Sequence, residues 1–370
     1  MHRDGTRAVL GNADDRSVCQ RVSRPGVGRL GRRVMIDVIT RQEAMDALAP
    51  QLRELWLRSA NPTIFTSPEW ISAWWSCFGT GELHALVQRD DGALVTFAPF
   101  FVHRGASNEP ELTLIGIGNS DYLDVMATSR HNVTAVMREI LGWSVRHKIR
   151  RAEWPQLRAD ATLAEAELPA GWGCTLHDSA PSPVVALPWT DSAFDRQISP
   201  KLRKNLRHAR RAATARGSVW FEHASGEAVE HAIETLFALH AARWRATGQR
   251  GVLEDPAVQR FHHAVARAAD ASGMLRLIRL SIGGETAGVL YGFTTPAGAC
   301  YYIGGMNPAM ASLSPGVLLI REAIHRAIDE GAVEFDFLAG REVYKYRWGA
   351  RDRRIFHCRL RHHSNRGPST

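Results

Sequence analysis

Residues 274–338 constrain the fold of this chain more than any other stretch. "MLRLIRLSI", a Gly-Gly turn, "ETAGVLYGFT" and "ACYYIGGM" read as three apolar strands, close enough together to form an antiparallel meander. A long apolar helix follows, "LSPGVLLIREAIHRAIDEG" from Leu313 to Gly331. After it comes "VEFDFL", whose unbroken apolar run suits a buried strand. Local signals bracket the helix. Ser314 is a good N-cap, Pro315 fits the first helical position, where its missing N–H is not needed, and Gly331 suits the C′ position. Gly316 stands outside that logic. In a first turn it lowers helix propensity by about 1 kcal/mol relative to alanine, which points to a close approach to the backbone there. Meander, helix and buried strand in that order make an α+β layer fold.

The rest of the chain repeats the theme loosely. A strand "VMIDVIT" leads into an amphipathic helix through Leu48, Leu52, Leu55 and Trp56. "TSPEWISAWWSCFG" predicts a helix capped by Ser67, with Pro68 at its first position and Gly79 as its stop. "ELHALVQRD" and "ALVTFAPFFVHR" flank an Asp-Gly turn, the pattern of a hairpin. "ELTLIGIG" and "DYLDVMA" are expected as strands, followed by a helix over 130–147 and a strand "RRAEWPQL". A junction is expected at 185–195. Beyond it lie a basic helix "SPKLRKNLRHARRAATARG", a strand "VWFEHA" and a helix over 227–247 with Val229, Ile233, Phe237, His240 and Trp244 on one stripe.

Charge at first suggests a nucleic-acid partner, since the 370 residues carry +8. Residues 1–34, however, hold eight arginines against three aspartates, +5 of that total, without hydrophobic periodicity. They read as a disordered extension ahead of an alternative start at Met35. The remainder carries only +3, so nucleic acid is not the expected partner. No apolar run reaches the roughly 18 residues of a membrane span. The five cysteines (Cys19, Cys77, Cys174, Cys300, Cys358) are scattered, with neither CxxC nor metal-like spacing. A reducing cytoplasm without a disulfide framework or metal site is the expectation.

Several positions offer chemistry, each beside a plainer reading. The Ser314-Pro315-Gly316 start has free N–H groups and a positive dipole end suited to a phosphate; otherwise it is a capped core helix. "DFLAGREVYKYRWGA" sets Tyr344, Lys345, Tyr346, Arg347 and Trp348 in sequence after a buried strand. A tyrosine there can protonate a leaving thiolate and a lysine can hold an anion, or the run simply covers a sheet edge. His240 in "LHAARWRATGQRG" is a base or a satisfied core histidine. Lys201, Arg203, Lys204, Arg207, Arg210 and Arg211 form a basic helix face, solvated or anion-binding. Asp121 and Asp124 in "GNSDYLDV" orient an acceptor or end a turn.

Together, "TSPEWISAWW", "SDYLDV", "SPKLRKNLRHARR", "LHAARWRATG", "LSPGVLLIREAI" and "DFLAGREVYKYRWGA" resemble, in order, acetyltransferases of the CelD/BcsL type. These belong to the GNAT superfamily and share an architecture with FemAB-like proteins. The resemblance implies two tandem GNAT-like domains, 35–190 and 191–360, each a mixed, mainly antiparallel sheet flanked by helices, with a disordered tail at 361–370. It implies an acyl-CoA-dependent transferase, with acetyl-CoA as donor and an amine or sugar as acceptor, serving polysaccharide or cell-envelope synthesis. Cofactor contacts fall on Ile303, Gly304, Ser314, Pro315, Gly316, Val317, Leu318, Lys345 and Trp348, although the usual Arg/Gln-x-x-Gly-x-Gly/Ala loop is lacking. Tyr344 is the first choice of acid and Tyr346 the second; His240, Asp336 or a water on Asp121 is the base. Trp70, Asp121, Tyr122, Asp124, Arg243 and Trp244 are assigned to the acceptor. The rival readings are an aminoacyl transferase using charged tRNA, for which the basic helix speaks, and a non-catalytic binding module on the same fold.

Overall fold

The structure is a computed structural model that describes residues 20–21, 34–104, 108–245 and 248–363. Most of the expected extension and the tail after 363 lie outside the described residues, while Gln20 and Arg21 of the one and Arg361 and His362 of the other, expected to be disordered, are paired in strands. The first half runs from β1 (Gln20–Arg21) and β2 (Val34–Ile39) through α1 (Gln42–Asp46) and α2 (Ala49–Arg58) to α3 (Pro68–Phe78). Ser67 caps α3 as expected, its Oγ accepting from the Trp70 N–H at 3.3 Å. Next come β3 (Glu82–Leu83), β4 (Ala85–Asp90), β5 (Ala93–Ala98) and β6 (Phe100–Arg104). Asp91 and Gly92 turn the β4–β5 hairpin at φ 49° and 84°, the positive values a two-residue turn demands. Pro99, with no N–H to donate, separates β5 from β6, and the two join different sheets.

β7 (Pro110–Leu114), β8 (Met126–Ala127), α4 (Arg130–Arg146), β9 (Arg151–Arg158) and β10 (Trp172–Asp178) complete this half. The strand expected at 121–127 shrinks to Met126–Ala127. Its first residues are held instead by a side chain: Asp124 accepts from the N–H groups of Val125, Thr162 and Leu163 at 2.8–3.0 Å. That local bonding replaces a ladder.

After β11 (Ser182–Ala186), the second half holds α5 (Asp191–Gln197), α6 (Pro200–Arg216), β12 (Val219–His223), α7 (Ala228–Arg245) and α8 (Pro256–Ala271). The expected meander is β13 (Leu275–Ile282), β14 (Glu285–Thr295) and β15 (Gly298–Met306). Then follow α9 (Pro315–Asp329), β16 (Glu334–Asp336), α10 (Val343–Tyr346), β17 (Arg351–Arg353) and β18 (Ile355–His362). Three sheets result, ordered β1-β2-β4-β5-β8, β10-β18-β9-β7-β6-β3 and β12-β13-β14-β15-β16-β11-β17.

The two halves obey one rule. Nearly all pairs are antiparallel, but β7 pairs β9 and β15 pairs β16 in parallel, and each parallel pair is joined by one long helix, α4 or α9. This is the expected architecture of two GNAT-like units, each a mixed sheet flanked by helices. Two strands cross over. β11 pairs with β16 and β17 in the later sheet, while β18 lies between β10 and β9 in the earlier one. β10–β11 and β17–β18 thus form a two-stranded ribbon through both sheets.

Packing ties the halves together. α9 buries Leu318, Leu319, Ile320, Ala323, Ile324, Ala327 and Ile328 against the later sheet, each large side chain contributing roughly 1.5–3 kcal/mol. A second core is continuous across the halves: Phe65, Trp70 and Tyr122 share it with Phe261, Tyr291 and Phe293. Trp70 stacks edge-on to Phe261 at 4.9 Å between ring centroids.

Candidate active site

β15 and β16 register at only two positions, Ala299 with Phe335 and Cys300 with Asp336. From Tyr301 onward β15 pairs with β14 alone, so the two parallel strands part into a wedge. A bulge opens it. Tyr301 pairs with Gly292 and Ile303 with Tyr291, leaving Tyr302 unpaired. Gly292 makes this possible, because a Cβ there would collide with the Cys300 carbonyl. The Tyr302 side chain then turns into the junction, donating to the Asn119 carbonyl at 2.9 Å.

α9 starts beside the wedge, but not with the expected cap. Ser314 sits at φ 53°, ψ 50°, in the left-handed region, and its side chain caps nothing. Its carbonyl accepts from the Val317 N–H at 3.1 Å, a backbone turn that replaces the side-chain cap. A Cβ on Gly316 would meet only Met306, at 3.7 Å or more, which is ordinary contact. Protein packing therefore does not demand glycine there.

A polar knot closes the other side. Asp336 Oδ2 accepts from the Tyr122 hydroxyl at 2.6 Å and from Arg353 Nη1 at 2.9 Å, and its Oδ1 accepts from the Leu338 N–H at 2.8 Å. Arg353 also bonds Glu334, at 2.7 and 2.9 Å. Leu338 stands at φ 57°, outside the range a branched side chain favours, and bends the chain into the 339–348 segment. The Lys345 ammonium is buried beneath that bend, donating to the carbonyls of Leu338 at 3.0 Å and Ala339 at 2.7 Å. Asp121 faces the same bend and accepts from the Ala339 N–H. Burial, and after it the like charge of Asp336, pushes Asp121 up to about 7.

Tyr344 and Tyr301 are hydrogen-bonded to each other. Burial pushes Tyr344 well above the usual tyrosine range and Tyr301 up to about 12, with the Arg243 charge opposing both shifts. His240 is buried behind Gly251, its Nε2 accepting from the Trp244 indole at 2.9 Å, and burial lowers its pKa. Tyr346 bonds Asp352 at 2.8 Å, outside the knot.

The predicted residues thus fall into groups. Asp121, Tyr122, Asp336 and Lys345 meet in the knot, and Tyr344 meets Arg243 through their shared electrostatics. Ile303, Gly304 and the first turn of α9 lie on the wedge side. Trp70 is fully buried, its indole donating to Ser120 Oγ at 2.9 Å, and Trp348 is buried in the later core. Asp124 uses its oxygens on backbone N–H groups. Reading the sequence missed Arg353 and Glu334, as well as helix α8. Asp255-Pro256 followed by Phe261, Val265 and Ala269 was the available signal for α8. Glu230 and Glu234 of α7 and His263 of α8 are close enough to share a cation, and the two His263 nitrogens face the two carboxylates at 3.1 and 2.8 Å.

Residues 200–346 match the model of an acetyltransferase (GNAT) domain, and this span contains the wedge, α9 and Tyr344. Over those residues the chain is similar to GNAT-type acetyltransferase domains. Solved structures share the fold across both halves. FemX aligns with a TM-score of 0.62 at 9% identity, covering 84% of this chain and 95% of its own. A conserved protein of unknown function from Bacteroides thetaiotaomicron VPI-5482 gives 0.58 at 12% identity, with 85% and 97% covered. The C-terminal domain of a putative lysylphosphatidylglycerol synthetase from Agrobacterium fabrum gives 0.56 at 10%, with 85% and 91% covered. At such identities the likeness is one of fold. No curated protein matches the chain. Among the described residues no helix is long and apolar enough to cross a membrane.

Proposed function

We propose that this chain transfers an acyl group, acetyl in the simplest case, from acyl-CoA to an amine or sugar hydroxyl. One observation carries the reading: within the GNAT-type domain, two parallel strands part beside a helix start that no side chain caps, at a glycine that packing does not require. Ile303 and Gly304 would line the acyl end of the wedge, and the N–H groups of Gly316, Val317 and Leu318 would hold the pyrophosphate. The thioester supplies the activated carbonyl.

The remaining chemistry belongs to side chains. Asp121, half in its basic form near neutral pH, is placed to take the acceptor's proton. Tyr344 keeps its proton at neutral pH and is placed to give it to the departing thiolate. Asp336 has both oxygens engaged and holds Tyr122 and the 338–345 bend in position, which makes it a positioning residue. His240, neutral and bonded to Trp244, orients the end of α7 that carries Arg243. The division at 190 leaves acceptor recognition by the first half, through Asp121 and Tyr122, and acyl-donor binding by the second. A cytoplasmic role in polysaccharide or envelope assembly rests on the resemblance to CelD/BcsL-type enzymes.

A second reading, aminoacyl transfer from charged tRNA, is favoured by α6, where Lys201, Lys204, Arg207, Arg210 and Arg211 are exposed along one helix. Arg203 does not belong to that face, since it bonds the carbonyls of Asp195 and Ile198 at 2.8 Å. Calorimetric titration of the full chain with acetyl-CoA and, in parallel, with tRNA separates the two. Micromolar acetyl-CoA binding that Gly316→Val weakens at least tenfold supports the first reading. No acetyl-CoA binding, with tRNA affinity that falls steeply as salt rises, replaces it with the second.

A further inference from the structure

We propose that Cys174 and Cys358 are a disulfide-forming pair that staples the ribbon joining the two halves of the molecule. Cys174 lies on β10 opposite Leu360, and Cys358 lies on β18 opposite Leu176. The two cysteines are therefore diagonal neighbours on one face of an antiparallel pair, the spacing at which such side chains reach one another. Their sulfurs are 2.9 Å apart, within an ångström of the roughly 2.05 Å of a disulfide bond. The strands that carry them are paired continuously from Trp172 to Asp178, which keeps the two side chains on the same face.

Access is divided between the partners. Cys174 is exposed on the edge strand, whereas Cys358 is buried in the core of the first half. Oxidation by a low-molecular-weight disulfide such as glutathione disulfide would run in two exchanges. The Cys174 thiolate attacks one glutathione sulfur, and the first glutathione thiolate leaves. The Cys358 thiol then gives up its proton and attacks the Cys174 sulfur, and a second glutathione thiolate leaves. Two protein thiols are oxidised and one glutathione disulfide is reduced to two thiols. The bond would close a loop holding nearly the whole second half, including the wedge and Tyr344, so it restricts the unfolded chain strongly. Cys77 and Cys300 have no such partner sulfur among the described contacts.

The test incubates the full chain with glutathione disulfide and maps peptides without reduction. The expected result is one cross-linked peptide pair joining residues 174 and 358, the loss of two titratable thiols, and a rise in Tm of roughly 5 °C that dithiothreitol reverses. Cys174→Ser, at an exposed site, and Cys358→Ala, at a buried one, should each lose the cross-link and the rise. Two outcomes overturn the proposal. One is a stable glutathione adduct on Cys174 with Cys358 still free to alkylation after unfolding. The other is a rise in Tm that persists in both variants.

Discussion

Tyr344 and Asp121 are distinguished by what burial does to each. A tyrosine pushed far above its usual range is a proton donor throughout the physiological window, so Tyr344→Phe removes a proton without removing packing. We expect kcat to fall by about tenfold to a hundredfold, while acetyl-CoA affinity by calorimetry stays within about twofold. Unchanged turnover would remove Tyr344 from the chemistry. Asp121 works in the opposite sense. With its carboxyl pushed up to about 7, the basic form grows as pH rises, so the rate should climb through pH 7 and level above it. Asp121→Asn should abolish that limb. The sign for stability is reversed. A raised folded-state pKa favours the protonated form, so its contribution is complete at low pH and is lost as pH rises from about 4 through about 7. Asp121→Asn should therefore raise Tm at pH 8 relative to the parent chain and change it little at pH 4. An equal shift at both pH values would show that the carboxylate is not held out of water.

The knot of β16 and β17 shows how a strand of three residues is kept in place. Asp336 is buried on β16 and meets Arg353 of β17, with β11 lying between the two strands. Removing one partner of such a pair leaves an uncompensated charge, so Arg353→Met should destabilise the chain by about 3–5 kcal/mol in urea titration. A loss below about 1 kcal/mol would mean that Tyr122 and the Leu338 N–H satisfy Asp336 without it. This scale also shows where sequence is informative. Caps, prolines and turns are local, and Ser67, the Asp91-Gly92 turn and Gly331 were all readable and stand where expected. Ser314 misled because an N-cap serine and a left-handed turn serine look alike in sequence, and the difference lies in the backbone that arrives from Pro308–Leu313. Arg353 and Glu334 were invisible for another reason: their meaning depends on β11, some 150 residues earlier in the chain. The wedge itself was legible only as a glycine without a packing reason.

On the scale of the whole molecule, the strand exchange makes the two halves one folding unit. The acetyltransferase-domain match at 200–346 omits β11, which sits between β16 and β17, and also omits β17 itself. The first half in turn lacks β18, the neighbour of both β9 and β10. The aromatic core around Trp70, Phe261 and Tyr302 then packs side chains of both halves against one another. Domains divided by small polar interfaces unfold separately, whereas a shared apolar core and exchanged strands couple them. Calorimetry of the full chain should therefore show one transition whose van't Hoff and calorimetric enthalpies agree. A fragment of residues 200–346 should stay molten, with far-UV helix signal but no near-UV signal from its buried aromatic side chains. A fragment that folds and binds acetyl-CoA by itself would show that the ribbon only decorates an autonomous domain. Failure of the fragment, with a single transition in the intact chain, would show that the site exists only where both halves are present.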